Sequence, residues 1–398
     1  MILDTSNFHK DFQALQAEMQ VWRRHLHQFP ETAYEEFQTS AFIVGILKDL
    51  GLTVHQGLAG TGVVATLKAG NSNKSVALRA DMDALPVQEQ NEINHRSQNP
   101  GKMHACGHDG HTAMLLGAAK HLTQNPDFDG TVYFVFQPAE ESFGGAEKMI
   151  KEGLFDLFPA QSVFGMHNFP DMPQGQFAAK SGAMMASFDT FEIILHGKGC
   201  HAAKPHQGHD ALLAASQLVI ALQSIVSRDI APHQPAVVSV TQIHGGTTWN
   251  IIPEKAQICG TFRCLDDEVR QQIKQRIESI STSVCAAMEV KAEVTFNPGT
   301  VAYPATINSA LETEQALDIA ASLVGEENIN RKPQPSMGAE DFSFMLQQKP
   351  GCYVWLGGNT TETKGLLHHP QYDFNDEILG TGAAYWIRLV ETLMPKVK

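Results

Sequence analysis

Met103-His104-Ala105-Cys106-Gly107-His108-Asp109-Gly110-His111 places three histidines, a cysteine and an aspartate within nine residues, with two glycines among them. Its surroundings decide how the stretch is used. Residues 112–122 carry the apolar spacing of a helix, a strand-like run at 76–80 precedes the stretch, and another at 131–137 follows it. Strand, donor-rich loop, helix, strand is the repeating unit of an α/β sheet with a substantial parallel part. Nitrogen, sulfur and oxygen donors converging in such a loop suit a metal ion. The Cys-x-His spacing has no signature of its own, and a glycine-rich loop with solvated histidines has the same composition.

Working outward, residues 11–28 and 35–50 have helical spacing, ended by Pro30 and by Gly51. Strands are expected at 63–67 and 163–167, and a helix at 144–150. Acidic residues and histidines recur where strands should end: Asp81 and Asp83, Glu140-Glu141, then His167-Asn168. In open α/β sheets ligands bind in the crevice beyond the carboxyl ends of the strands.

The texture changes after about Gly182. Strands are expected at 188–195, 236–243, 255–264 and 291–296, with helices at 210–227 and 268–288. That β-α-β-β-α-β order is the ferredoxin-like pattern. Past Pro298 the chain reads again as helix, strand, helix, including 308–324. The expected architecture is therefore α/β: a catalytic domain of residues 1–183 and 298–398, interrupted by a two-layer α+β module at 184–297.

The bulk properties agree with two domains. The chain has 398 residues, too many for one ordinary core. It is 43% hydrophobic and 18% charged, the composition of a soluble globular protein. With 29 basic against 43 acidic residues the formal charge is −14, which argues against nucleic-acid or anionic-membrane partners. A local cationic pocket for a small anionic substrate remains compatible with that balance. Six cysteines are scattered along the chain, unlike a disulfide framework. Residues 1–11 lack the pattern of a secretory signal, and no apolar run comes near the roughly 20 residues of a membrane span. A reducing cytoplasmic compartment is expected, in which Cys106 stays available as a thiolate ligand.

The candidate donors are Cys106 and His108 on one loop, Glu141 and His167 at strand ends, and the imidazoles of His368-His369 after the glycine-rich 357–359 segment. Five donors exceed what one four-coordinate catalytic ion needs and suit two ions sharing a bridge and a water. A thiolate among them favours zinc, nickel, cobalt or manganese over magnesium or calcium. Glu140 and Glu141 are adjacent, so their side chains diverge: one can bind metal while the other serves the water as a base. Both can also simply open a helix. Asp81 can orient a ligand histidine or pair with Arg79. In the inserted module, His201 lies in the glycine-punctuated 197–206 stretch, Asn250 follows Gly245-Gly246, and Arg263 ends a strand. Imidazole, amide and guanidinium are groups that hold a carboxylate or oxyanion, and ordinary turn chemistry accounts for each separately.

These stretches, with Arg79-Ala80-Asp81-Met82-Asp83-Ala84-Leu85-Pro86, Phe136-Gln137-Pro138-Ala139-Glu140-Glu141, Met337-Gly338-Ala339-Glu340-Asp341-Phe342 and His368 through Phe374, occur in an order that resembles the amidohydrolase branch of the aminoacylase/carboxypeptidase G family. That branch includes hippurate hydrolases, N-acyl-amino-acid amidohydrolases and plant auxin-conjugate hydrolases. The resemblance spans essentially the whole chain. It implies a di-metal peptidase-like catalytic domain with an inserted dimerisation domain, and two divalent ions per subunit. It also implies Cys106, His108, Glu141, His167 and His368 as metal ligands, Glu140 as general base and Asp81 beneath the metals. His201 matches a histidine that reaches a partner protomer's active site to stabilise the oxyanion. Asn250 and Arg263 match positions that contact the substrate carboxylate or oxyanion. Relatives outside the branch usually carry a ligand histidine where Arg79 stands.

The expected reaction is hydrolysis of an N-acyl amino acid to a carboxylic acid and a free amino acid, by a homodimer or higher oligomer. A dipeptidase or carboxypeptidase with the same centre is the alternative. A cysteine hydrolase using Cys106 with His108, and a non-catalytic metal-binding protein, are the readings from other classes.

Overall fold

The strand Ser75–Asp81 is buried from end to end, charged residues included, as a strand between two parallel neighbours in the middle of a covered sheet must be. Its neighbours Gly130–Gln137 and Ser162–Pro173 both run parallel to it. Gly351–Asn359 continues the parallel part beyond Ser162–Pro173. On the other side Gly62–Ala69 and Thr53–Leu58 add antiparallel strands. With the short strands Phe177–Ala178 and Ile329–Asn330 the sheet has eight strands. The next two parallel strands in the sequence lie on opposite sides of Ser75–Asp81, so the order reverses there and a crevice opens at the carboxyl ends. Helices Thr5–Gln28, His108–Gln124 and Leu379–Leu393 contribute Met19, Leu115, Leu116 and Trp386 to one core with the sheet.

This computed structural model describes residues 5–359 and 365–396. Two local departures from the sequence reading matter for function. The helix expected from residue 112 starts at His108, so His108, Asp109 and His111 are helical. The strand expected to stop at His167 runs on to Pro173. Its pairing with Ser75–Asp81 ends at Arg79 opposite Gly165, while pairing with Gly351–Asn359 continues. His167 therefore stands just where the strand parts from one neighbour.

The chain forms two compact units: Met1–Gly182, Ile307–Gln334 and Phe344–Lys398 in one, Ala183–Thr306 and Pro335–Ser343 in the other. In the second unit the antiparallel order is Ala236–Gly245, Lys255–Cys264, Asp189–His196, Lys291–Phe296. Alternate residues of Asp189–His196 are buried and meet Leu218, Ile273 and Ile277 of the helices Ala211–Leu222 and Asp267–Ala286. Asp210 and Asp266 cap those helices by accepting two backbone N–H bonds each. The first helix is shorter than expected and gives way to a π turn at Ile225–Asp229. Together, Ala211–Asp229 is long and apolar enough to cross a membrane by length and composition, which corrects the reading that no run approaches that length. Residues such as Leu218, Leu222 and Ile225 sit in the core of the second unit.

Candidate metal centre

Gly107 precedes the helix His108–Gln124 with φ 94°. A Cβ there would lie 2.3 Å from Asn168 Oδ1 and 2.7 Å from Tyr372 Oη, so the turn and the close approach both require glycine. Gly110 is needed for packing alone: a Cβ would sit 2.2 Å from the Phe374 ring. The whole stretch 103–111 is buried.

The five expected donors come together in the first unit. Single ligand atoms of Cys106, His108 and Glu141 lie within 4.8 Å of one another. Cys106 Sγ is 3.4 Å from His167 Nε2, and His368 Nε2 is 3.3 Å from Glu141 Oε1. His108 Nδ1 donates to the Asp83 carbonyl at 2.9 Å and His167 Nδ1 to the Asn168 carbonyl at 2.6 Å. These bonds fix the rings so that Nε2 of each faces the cluster. His368 has φ 66°, and its backbone N–H donates to the Ala105 carbonyl at 2.7 Å, tying its loop to residues 103–111.

The residues fit divalent cations. His108 Nε2 is buried without a hydrogen-bond partner, an arrangement that is costly unless something coordinates it. Burial pushes the Cys106 thiol well above its usual range, and the charges of Glu141, Glu140 and Asp81 push it further. Burial alone would lower His108, but Asp81 and Asp83 outweigh it and raise its pKa to about 10. His167 is held well below its usual value by burial and by His111. A cation at the cluster supplies the positive charge that this donor set otherwise takes from protons.

Glu140 and Glu141 open a four-residue helix, Glu140–Phe143, bracketed by Ala139 and Gly144 in left-handed conformations. Successive side chains on a helix point about 100° apart, so the two carboxylates diverge. The Asp83 carboxylate accepts from the N–H groups of Glu140 (3.1 Å) and Glu141 (3.0 Å), and Glu36 accepts from that of Ala139 (2.9 Å).

Asp81 takes part in both arrangements the sequence left open. Arg79 donates to its Oδ2 at 2.8 Å, and His111 Nδ1 lies 2.6 Å from its Oδ1. The histidine it orients is therefore His111, while the candidate ligands His108 and His167 are backed by carbonyls. Asp81 Oδ2 lies 3.7 Å from His108 Nε2, against the cluster. Desolvation opposes its charge, yet His108, His111 and Arg79 keep its pKa well below the usual carboxylate range. His111, Asn168 and Tyr372, to which the sequence alone assigned no role, form a buried chain: His111 Nε2 is 2.7 Å from Asn168 Oδ1, and Asn168 Nδ2 donates to Tyr372 Oη at 2.6 Å. The i, i+3 spacing of His108 and His111 on one helix was the available signal for His111.

Behind the 103–111 stretch, the helix Thr5–Gln28 is held by buried charge. His27 lies 2.8 Å from Asp109 Oδ2 and 3.3 Å from Glu89 Oε1, and Arg23 pairs with Asp373 and Asp376 at 2.8 and 2.7 Å. Burial opposes the charge on His27, but hydrogen bonds to Asp109 and Glu89 raise its pKa to about 9.

The three candidates of the second unit are arranged differently. His201 lies in a two-stranded ribbon of Cys200–His201 and Ile251–Ile252, paired with Ile251, and Asn250 directly precedes the second strand. Both are exposed. His201 Nδ1 accepts from the Ala203 N–H at 3.0 Å, and Asn250 Oδ1 accepts from Thr248 Oγ1 at 3.2 Å. Arg263 is on the neighbouring four-stranded sheet, donating to the Met337 carbonyl at 2.9 Å and lying over Phe188 at 4.8 Å.

Residues 77–392 match the description of peptidase family M20/M25/M40. The chain is 41% identical over 375 residues to a hippurate hydrolase of Campylobacter jejuni, spanning 94% of this chain and 96% of that one. It is 42% identical over 366 residues to an N-acetyl-L-cysteine deacetylase of Bacillus subtilis, with 92% and 85% covered. Among solved structures it is similar to a Bacillus subtilis dinuclear metal binding peptidase of the M20 family, with a TM-score of 0.82, 34% identity, and 96% and 99% of the chains covered.

Proposed function

The chain belongs to peptidase family M20/M25/M40, and from that premise we propose that it hydrolyses the amide bond of N-acyl amino acids to a carboxylic acid and a free amino acid. The observation that carries the reading is the convergence of Cys106, His108, Glu141, His167 and His368, with Glu140 next in the chain to a ligand. This donor set suits two divalent ions per subunit, drawn from zinc, manganese, nickel or cobalt. When bound, the ions polarise the acyl carbonyl and acidify a water.

Glu140 takes the proton of the attacking water and returns it to the leaving amine nitrogen. Asp81 fixes His111 and contributes negative charge beneath the ions. A neutral His201 whose Nδ1 accepts from Ala203 carries its hydrogen on Nε2, the donor that an oxyanion needs. In this reading His201 acts on the site of a second subunit, and Asn250 and Arg263 hold the substrate carboxylate. A groove of about 380 Å³ walled by Ala84, Leu85, Pro86 and Phe143 opens beside Glu141 and suits an apolar acyl group.

We assign residues 184–297 to dimerisation. Ala236–Gly245 is an outer strand of its sheet, and Leu213 and Ile220 of the helix Ala211–Leu222 are exposed, a combination that favours pairing with another copy. Six free thiols are compatible with a reducing cytoplasm.

The test is apo protein reconstituted with each metal separately and assayed on benzoylglycine, acetyl-amino acids and free dipeptides. Metal-restored, chelator-sensitive cleavage of the acyl compounds is expected. Preference for free dipeptides would replace this reading with the peptidase one, and chelator-resistant turnover would return Cys106 to the role of nucleophile.

A further inference from the structure

We propose that Asp83 is a positioning residue that sets the division of labour between Glu140 and Glu141. The inference rests on the reading of Glu140 as the base and Glu141 as a ligand. One residue here touches both halves of the centre. Its backbone carbonyl accepts from His108 Nδ1 at 2.9 Å, with Oδ1 3.3 Å from the same nitrogen. Its two carboxylate oxygens accept separately from the N–H groups of Glu140 and Glu141. Glu36 takes the N–H before them, on Ala139, and Thr61 Oγ1 donates to Glu36 at 2.7 Å. Three successive N–H groups of the turn are thus held by two buried carboxylates from elsewhere in the sequence.

The rotation of that turn about its axis decides which glutamate faces the metals and which faces the water. A turn of four residues has little internal hydrogen bonding to fix its own rotation. The bidentate grip of Asp83 fixes it from outside, and ties it to His108 through the same residue. Asp83 touches no reacting atom in this scheme and acts through the two glutamates.

Asp83→Asn separates these functions. The backbone carbonyl that orients His108 is retained, but an amide offers one acceptor oxygen and turns an NH2 group toward the other N–H. The expected result is a fall in kcat of about 10- to 100-fold with KM changed less than about twofold. Cobalt titration of the apo variant should give an affinity about 10- to 100-fold weaker, with the thiolate-to-cobalt absorption from Cys106 retained. Asp189→Asn, which breaks a buried ion pair with Lys274 in the second unit, should lower Tm without that pattern. If Asp83→Asn does not accumulate as folded protein, Asp83→Ser, which keeps one acceptor, is read in the same way.

Unchanged kcat and cobalt affinity in Asp83→Asn would overturn the proposal, as would losses matching those of Asp189→Asn at equal change in Tm. Glu140→Gln separates the two levels. An active Glu140→Gln overturns the reading of the base, whereas an inactive Glu140→Gln beside a fully active Asp83→Asn overturns only the role of Asp83.

Discussion

The loops 103–111 and 197–206 are alike in composition, both rich in glycine and histidine, and opposite in setting. Every residue of the first is buried, and most of the second is exposed. In the first, Nδ1 of His108 and Nδ1 of His111 are held by a backbone carbonyl and a carboxylate oxygen, and glycines are demanded by atoms packed against them. In the second, His201 has a single bond to a neighbouring backbone N–H. The difference teaches what each loop can do. Metal ligands must be oriented before the ion arrives, because a buried unpaired donor is costly and its geometry cannot be corrected by solvent. A donor for an oxyanion can instead stand exposed until substrate or a second subunit encloses it.

The contrast can be broken in three places. The largest effect is expected from Glu140→Gln, which should lower kcat by about 10²–10⁴-fold while metal content by elemental analysis stays at the wild-type level. Loss of metal in parallel would mean that Glu140 is a ligand. Next is His201→Ala in the exposed loop. A drop in kcat of about 10²–10³-fold is expected, with metal content and Tm unchanged because the side chain is exposed. If His201→Ala releases metal, the two loops are not functionally separate.

The smallest effect concerns the charge behind the buried loop. His27 is raised from the ordinary 6.5 to about 9, so the folded chain binds a proton that the unfolded chain releases. Its contribution is full below about pH 6.5 and is lost as pH rises toward 9. On that shift it amounts to about 3 kcal/mol. Denaturant midpoints should therefore fall between pH 7 and 9.5, and His27→Gln should be less stable at pH 7 with a flatter decline. Equal slopes in wild type and variant would remove His27 from the stability of the 103–111 loop.

Much of the centre was legible in the sequence. Cys106 and His108 are two apart, Glu140-Glu141 is a visible pair, and the strand and helix periods located the sheet and the β-α-β-β-α-β order. The residues that hold those groups were less legible. Asp83 was visible as an acidic residue after a strand, but nothing local reveals that its carboxylate meets the N–H groups of residues 140 and 141. Asn168 and Tyr372 meet across the sheet and a C-terminal loop. The continuation of Ser162–Pro173 beyond His167 depends on Gly351–Asn359, a partner distant in sequence. The orientation of His111 by Asp81 likewise joins a strand end to a helix start.

By itself, the sequence determined which donors the chain possesses, their spacing within each loop and the order of its strands and helices, because periodicity and turn chemistry are short-range. The tertiary structure alone decided that donors from residues 106, 108, 141, 167 and 368 share one cluster, and which oxygens fix them. Coordination depends on distances between side chains carried by different strands. Those distances exist only after the sheet has assembled and its core has closed.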